Sequence, residues 1–226
     1  CGIFGYIGQS NAQYIIHQGL KRLEYRGYDS WGISTVEKGK IVTKKAIGEI
    51  PVEYEIDDNS HKVGIGHTRW ATHGGVTITN AHPHYSTDKS FVLAQNGIVE
   101  NYTELKVLLS KKGYIFDTQV DTEVIVKLVE EQYKHTTDLK QALVEAFKQL
   151  QGRNTVIMLD SKSNRIYAIR NGSPLILGIE DGSVYLASDP LAFNQYCTSI
   201  VEVNNGELVE IDTNSYKIFD ISKGKY

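Results

Sequence analysis

Short apolar segments typical of strands occupy both ends of the chain, and longer segments with helical periodicity lie between them. Near the N-terminus, strands are predicted at 2–8, in "WGISTV" and "KIVTKKAI", at 61–70 and at 90–97. Near the C-terminus they are predicted in "NTVIMLD", "NRIYAIR", "PLILGI", "SVYLAS", "SIVEVNNGELVEID" and "SYKIFDI". Within the fifth of these segments, "NNG" predicts a hairpin turn.

Helices are predicted at 11–25, about 100–112, 121–135 and 138–151, where apolar residues recur at a spacing of three and four. Asn11 is suited to cap the first helix, because its side-chain oxygen can accept from a free backbone N–H. Gly152 is expected to end the last helix.

The distribution of these elements predicts the fold class. Strands cluster at both ends with helices between them, so the pattern lacks the regular alternation of a doubly wound parallel sheet. Two largely antiparallel sheets covered by helices would accommodate it, and the predicted class is α+β. At 226 residues the chain can bury a full core, and we expect a single domain over 1–226.

Composition excludes several classes of function. The net charge of −3 is too small to indicate a nucleic-acid partner. No apolar segment approaches the roughly 18 residues of a membrane span, and the N-terminus lacks the features of a signal peptide. Only two cysteines occur, Cys1 and Cys197, which favours a reducing compartment and a cytoplasmic location. Cys197 is expected to be a buried, inert thiol.

Cys1 carries both a thiol and, if it is the mature terminus, a free α-amine. The unperturbed pKa values are about 8.5 and about 7.7–8.0, so both groups are close to changing protonation state at neutral pH. The amine can then take the thiol's proton as the sulfur attacks a carbonyl. The alternative is that the chain was cut at this cysteine by chance.

Three further segments carry candidate chemistry. In "AQNGIVEN", the Asn96 side chain and the Gly97 backbone N–H could stabilise an oxyanion, although Asn-Gly turns are common. In "GHTRWATHGG", Arg69 is suited to bind a carboxylate, while the loop could equally be a polar loop with a packed tryptophan. In "VDTEVI", Asp121 either caps a helix or faces a ligand's ammonium group.

Four histidines fall within residues 67–84, namely His67, His73, His82 and His84. A tetrahedral metal site needs further ligands, and no cysteine or clear carboxylate cluster lies nearby in sequence, although Asp88 is available. We therefore expect histidines that order loops, and no metal.

Taken together, the motifs resemble one family. "CGIFGYIG", "LEYRGYDS", "GIGHTRWATHG", "NAHPH", "QNGIVENY", "DTEVI", "GSPLILGI" and "ASDPLA" occur in the order and approximate spacing of the glutaminase domain of glucosamine-6-phosphate synthase. That domain belongs to the class II, N-terminal-nucleophile glutamine amidotransferases. The resemblance spans residues 1 to about 220. It implies a four-layer αββα sandwich that hydrolyses L-glutamine without a cofactor.

The resemblance also implies residue roles. Cys1 would be the nucleophile, and Asn96 and Gly97 the oxyanion hole. The glutamine pocket would consist of Arg69 for the α-carboxylate, Asp121 for the α-ammonium, Thr72 and His73 along its wall, Trp70 as a gate for ammonia, and Arg26 near the nucleophile.

Two residues depart from the family pattern: Gln95 stands where the family usually has histidine, and Trp31 where it has a small residue. The sugar-isomerase half of the family, which would be the ammonia acceptor, has no counterpart here. The chain is then an excised domain of an enzyme that can oligomerise, or a stand-alone glutaminase subunit. Two alternatives remain: a glutamine-binding regulatory domain with impaired hydrolysis, and a different amidohydrolase of the same broad fold.

Overall fold

The computed structural model describes residues 1–56, 61–197, 199–213 and 215–224. Its strands and α-helices follow one another as β1 (Gly2–Ile7), α1 (Ala12–Arg22), β2 (Ser30–Glu37), β3 (Lys40–Ile47), β4 (Val63–Arg69), β5 (His84–Tyr85), β6 (Phe91–Gly97), α2 (Tyr102–Lys111), α3 (Thr122–Tyr133), α4 (Leu139–Phe147), β7 (Asn154–Asp160), β8 (Arg165–Asn171), β9 (Ile176–Glu180), β10 (Ser183–Ala187), β11 (Ile200–Glu202), β12 (Glu207–Asp212) and β13 (Ser215–Asp220).

The strands form two antiparallel sheets that pack face to face. One sheet has the strand order β11-β9-β10-β1-β4-β2-β3, and the other has the order β13-β12-β8-β7-β6-β5. Apolar side chains from both sheets fill the space between them, including Ile3 and Ile65 from the first and Ile157 and Ile166 from the second. All six residues of β1 are buried, because this strand lies inside the sandwich with a packed layer on each face.

Helices cover the outer face of each sheet. On the first sheet, Ile16 and Leu20 of α1 belong to the same buried cluster as Phe4 of β1. On the second sheet, α2, α3 and α4 supply a larger cluster that includes Leu143 and also contains Leu93 of β6. The layers are therefore α, β, β and α, which confirms the predicted class and architecture.

The ends of the helices agree with the predictions except at α4. The Asn11 side chain accepts from the Tyr14 N–H at 3.1 Å, so the predicted cap of α1 is confirmed. Helix α4 ends at Phe147, and not at Gly152, since the chain tightens into i→i+3 bonds at Gln149 and Leu150. Gly152 has a φ of +93°, and a Cβ there would lie 2.7 Å from the Ile98 carbonyl oxygen. Gly152 is therefore required because two backbone segments approach closely there, and it does not end the helix.

The predicted hairpin at "NNG" is wrong. A turn is present, with the Glu207 N–H bonded to the Asn204 carbonyl, but the strands on its two sides belong to different sheets. β11 pairs with β9, and β12 pairs with β8 and β13. Between them Val203 is fully buried in the core between the sheets. Because Val203 is buried between the two sheets, the chain crosses from one sheet to the other at this residue.

This topology brings four chain segments together at one end of the sandwich. Gly2 of β1 pairs with Thr68 of β4, so Cys1 lies beside the end of β4. β6 ends at Gly97, and α3 begins just after Asp121.

In the described part of the chain, no helix is both long and apolar enough to cross a membrane.

Candidate active site

Both reactive groups of Cys1 are held by backbone atoms. The α-amine donates to the Arg26 carbonyl oxygen, and the Arg26 Nε donates back to the Cys1 carbonyl at 3.2 Å. The Trp70 N–H points at the Cys1 Sγ, with 3.3 Å between nitrogen and sulfur. Cys1 is therefore fixed between the segment after α1 and the end of β4.

The amine of Cys1 is in an unusual electrostatic environment. Its pKa is lowered from 8.0 to about 6, first by burial and then by the positive charge of Arg26, with Asp29 acting in the opposite direction. Burial has this effect because it disfavours the charged form. At neutral pH the amine is mostly unprotonated, which is the form that can accept a proton.

Asn96 and Gly97 end β6 directly beside Cys1. The Asn96 Nδ2 donates to the Cys1 carbonyl oxygen at 3.4 Å, and the side chain is buried. Gly97 has a φ of +134°, and a Cβ at this position would lie 2.1 Å from the Arg153 carbonyl oxygen. Both the backbone angle and the space require glycine here.

Arg69 is the last residue of β4 and is buried. Its guanidinium donates to the carbonyls of His73, Gly74 and Gly75, so it holds the loop that follows. Burial lowers the pKa of Arg69, and the carboxylates of Asp29 and Asp121 oppose that effect. The guanidinium thus lies close enough to Asp121 for the two charges to interact.

Asp121 does not cap α3. Its backbone is helical, and its Oδ2 accepts from the Val99 N–H at 2.7 Å, with no bond to an N–H of the helix. No second hydrogen bond of the Asp121 carboxylate is found among the described residues. The capping role considered from the sequence is therefore wrong, and Asp121 joins the start of α3 to the segment after β6.

Trp70, Thr72 and His73 lie in the loop after Arg69 and are exposed. The Trp70 ring is tilted against Tyr28, with 5.7 Å between ring centroids. His73 meets the ring of Tyr102 edge-on at 5.0 Å. Their predicted roles stay predictions.

The predicted site residues converge. A single small cavity is lined by Cys1, Arg69, Trp70, Thr72, His73, His82, Gln95, Gly97, Val120, Asp121 and Thr122. The remaining two predicted residues, Arg26 and Asn96, hydrogen-bond to Cys1. The cavity holds about 20 Å³, which is room for one water molecule. His82, Val120 and Thr122 also line the cavity but were not among the predicted site residues. For Thr122, its position next to Asp121 in the sequence could have indicated this.

The two departures from the family pattern are accommodated in different places. Trp31 is 3% exposed and packs edge-on against Tyr54 in the cluster beneath α1, outside the cavity lining. Gln95 does line the cavity. Its Nε2 donates to the Asn154 Oδ1, and its Oε1 accepts from the Thr122 hydroxyl at 2.6 Å.

Three of the four histidines within residues 67–84 pack ring against ring. His67 and His82 are stacked with 4.2 Å between centroids, and His84 meets His82 edge-on at 4.8 Å. Burial lowers the pKa of each of the three rings. Over the described ranges, no three His, Cys, Asp or Glu side chains are placed to hold a metal ion. Cys197 is buried as expected, and burial raises the pKa of its thiol.

The fold and the position of Cys1 define the class of protein. Two antiparallel sheets between helical layers, with a cysteine before a central strand, are the architecture of an N-terminal-nucleophile hydrolase. A family model described as a glutamine amidotransferase domain matches residues 67–195. The chain belongs to this family.

Two relatives of the chain are much longer than the chain itself. A glutamine–fructose-6-phosphate aminotransferase (isomerizing) of Methanococcus maripaludis is 43% identical over 92% of the chain and 36% of its own length. Its namesake in Pyrococcus horikoshii is 42% identical over 99% of the chain and 38% of its own length. The chain therefore spans less than two fifths of these relatives.

A solved structure shares the fold over nearly the whole chain. The glutamine phosphoribosylpyrophosphate amidotransferase of B. subtilis, complexed with ADP and GMP, superimposes with a TM-score of 0.86. It is 29% identical, and the match covers 97% of this chain and 49% of the solved one.

Proposed function

We propose that the chain hydrolyses the side-chain amide of L-glutamine to glutamate and ammonia, with Cys1 as the nucleophile. The observation that carries this proposal is geometric: the Asn96 Nδ2 bonds to Cys1, and Gly97, Arg69 and Asp121 line the cavity of Cys1. The amine of Cys1, whose pKa is lowered to about 6, supplies the base. A base of this kind is available at neutral pH. Membership of the glutamine amidotransferase family supports the choice of substrate.

In the first half of the proposed cycle, the amine of Cys1 takes the proton from the thiol, and the sulfur attacks the side-chain carbonyl carbon of glutamine. The carbonyl oxygen becomes an oxyanion, which accepts hydrogen bonds from the Asn96 Nδ2 and the Gly97 N–H. The protonated amine then gives its proton to the departing nitrogen. Ammonia leaves, and a γ-glutamyl thioester remains on Cys1.

In the second half, the amine takes a proton from water while the water oxygen attacks the thioester carbonyl. A second oxyanion forms in the same place and collapses, breaking the carbon–sulfur bond. The thiolate recovers the proton from the amine, and glutamate is released. Each proton removed from a nucleophile is returned to a leaving group, so no external acid or base is needed.

Selection of glutamine is assigned to two opposite charges. Arg69 would bind the α-carboxylate, and Asp121 the α-ammonium; both are buried and line the cavity of Cys1. Thr72 and His73 would complete the wall. The cavity holds about 20 Å³, and we propose that the exposed loop after Arg69 moves outward as glutamine enters.

The product ammonia is proposed to serve a second reaction. The relatives named glutamine–fructose-6-phosphate aminotransferase are more than twice as long as this chain. We therefore assign the chain to the glutaminase part of such an enzyme, which supplies ammonia to a sugar-isomerase part for glucosamine 6-phosphate synthesis. Trp70 would gate the ammonia.

Both cysteines are free, which supports a cytoplasmic location.

Glutamate release from glutamine tests the nucleophile directly. Cys1→Ala is expected to lower kcat by at least about 10⁴-fold, because removal of a covalent nucleophile leaves only binding and oxyanion contacts. Cys197→Ala, which removes the other thiol, should leave kcat unchanged. A single uncleaved residue ahead of Cys1 should also abolish turnover, since the amine becomes an amide. Rapid turnover by Cys1→Ala would refute the proposal.

Labelling with 6-diazo-5-oxo-norleucine separates the alternatives. Mass spectrometry should find the label on Cys1 and none on Cys197. Binding of glutamine by calorimetry, without label or glutamate release, would instead identify a regulatory domain. Labelling without turnover of glutamine would point to a different amide substrate.

A further inference from the structure

His67 lies directly beneath Asn96, the residue that the proposed function gives to the oxyanion. The ring is fully buried in β4, in the sheet opposite β6. Its Nε2 lies 3.0 Å from the Gln95 carbonyl oxygen and 3.1 Å from the Asn96 Oδ1. Its Nδ1 has no hydrogen-bond partner within the described chain.

The backbone determines which nitrogen of His67 carries the proton. The Gln95 carbonyl can only accept, so the nitrogen facing it must be a donor. A neutral imidazole has one donor nitrogen, and burial lowers the pKa of His67 to about 3, which keeps the ring neutral at pH 7. The proton is therefore on Nε2, and Nδ1 is unprotonated.

The position of this proton in turn determines the orientation of the Asn96 amide. An amide can present either oxygen or nitrogen, and the two orientations have nearly the same shape. Because the His67 Nε2–H is a donor, it selects the orientation in which Oδ1 faces the histidine. The Asn96 Nδ2 then faces Cys1, where it lies 3.4 Å from the carbonyl oxygen. With the opposite orientation, a carbonyl oxygen would face the developing oxyanion and repel it.

A second histidine holds the backbone of the same segment. The Gln95 N–H donates to the His82 Nδ1 at 3.3 Å, which leaves Nε2 as the donor to the Thr122 hydroxyl at 3.2 Å. The Thr122 hydroxyl in turn donates a hydrogen bond to the Gln95 Oε1. His67 stacks on His82 with 4.2 Å between centroids. The His67 ring, which orients Asn96, is thus stacked on a second ring that a closed set of hydrogen bonds with Gln95 and Thr122 holds in place.

We propose that His67 is a positioning residue that sets the orientation of the Asn96 side chain for oxyanion stabilisation. It acts without touching glutamine. The Gln95 carbonyl keeps the proton on the His67 Nε2, and this N–H donates to the Asn96 Oδ1. This inference rests on the proposed glutaminase activity. If the ring merely filled space, the 3.4 Å hydrogen bond to the Cys1 carbonyl would be the remaining contact that orients the amide.

His67→Phe removes both ring nitrogens and keeps an aromatic side chain at this position. The expected result is a 10- to 100-fold lower kcat, below the ~10²–10³-fold loss for a missing oxyanion donor, with KM within about twofold. His67→Gln can place an amide N–H near the position of Nε2, and should restore most of the loss. His84→Phe is the matched control, because His84 is buried against His82 in the same cluster, and among the described residues no hydrogen bond joins it to Asn96.

A double-mutant cycle separates positioning from packing. On an Asn96→Ala background, His67→Phe should lower kcat by no more than about twofold, because the amide it orients is gone. An equally large loss on both backgrounds, or an equal loss in His84→Phe, would overturn the inference. Absence of glutamate release by the unmodified protein would instead refute the proposed function, so the two failures are distinguishable.

Discussion

The candidate site has two sides that differ in how they are held. On the nucleophile side, Cys1, Asn96 and Gly97 lie at strand ends, and Asn96 is 2% exposed. On the loop side, residues 70 and 72–79 are all exposed, with Trp70 at 50% and Ile78 at 56%. The candidate site thus has the buried Asn96 at a strand end on one side and an exposed loop on the other.

This difference indicates a division of labour. The groups that would stabilise a developing charge need fixed positions, and strand ends within a packed core provide them. The loop is held through its backbone: the carbonyls of His73, Gly74 and Gly75 accept from Arg69, and the Gly75 N–H donates to Gln119. A wall whose side chains lie mostly in solvent can move at lower cost than one packed in the core. We therefore expect changes on the nucleophile side to alter kcat, and changes on the loop side to alter KM.

The largest expected effect is on the nucleophile side. Asn96→Ala should lower kcat by ~10²–10³-fold with little change in KM, because the lost hydrogen bond is strongest in the transition state. Steady-state glutamate release measures both constants.

The matched control for that change is Asn80→Ala on the loop side. Asn80 is also buried, but it donates to the Gly75 carbonyl and accepts from the Gln119 N–H. Its loss should raise KM and leave kcat within a few-fold. If the two alanine variants change the same constant, the division between the two sides is wrong.

The next effect tests the boundary between the sides. Arg69→Leu should raise KM by about 30- to 150-fold, equivalent to 2–3 kcal/mol for a charge-assisted pair with the substrate carboxylate. It also releases three loop carbonyls, so thermal unfolding should be measured in parallel. Arg165→Leu, which breaks a surface pair with Asp212, is the control and should leave KM unchanged. A fall in kcat without a change in KM would place Arg69 with the nucleophile side.

Much of this architecture could be predicted from the sequence, because local pattern determines it. The Asn11 cap and the apolar spacing of α1 are local signals, and the match of Cys1 and Asn96 to a known family located the nucleophile side. The contact between His67 and Asn96 joins two sheets across 29 positions, and no local pattern specifies it. For the same reason "NNG" predicted a hairpin: turn chemistry is local, whereas the sheet that each strand joins depends on burial of Val203.

A smaller effect concerns the pH dependence of the nucleophile side. Turnover needs the unprotonated amine, whose pKa is about 6, so kcat/KM should rise with pH and level off above that value. The positive charge of Arg26 lowers this pKa, and the charge of Asp29 raises it. Arg26→Gln should therefore move the rise to higher pH, with a several-fold loss at pH 6, while Asp29→Asn should move it to lower pH. Shifts of the same sign in both variants would exclude the amine as the titrating base.

The smallest effect is expected on the exposed wall itself. Ile78→Ser replaces an apolar side chain that is already in solvent, so the free energy of unfolding in urea should change by less than about 0.5 kcal/mol. The matched variant Ile65→Ala empties a site between the two sheets, where Ile65 is fully buried, and should cost about 2–5 kcal/mol. Neither residue lines the cavity, so both variants should keep KM within about twofold while folded. A loss in Ile78→Ser as large as that in Ile65→Ala would show that this part of the loop packs as core, and the contrast between a fixed wall and a movable one would then fail.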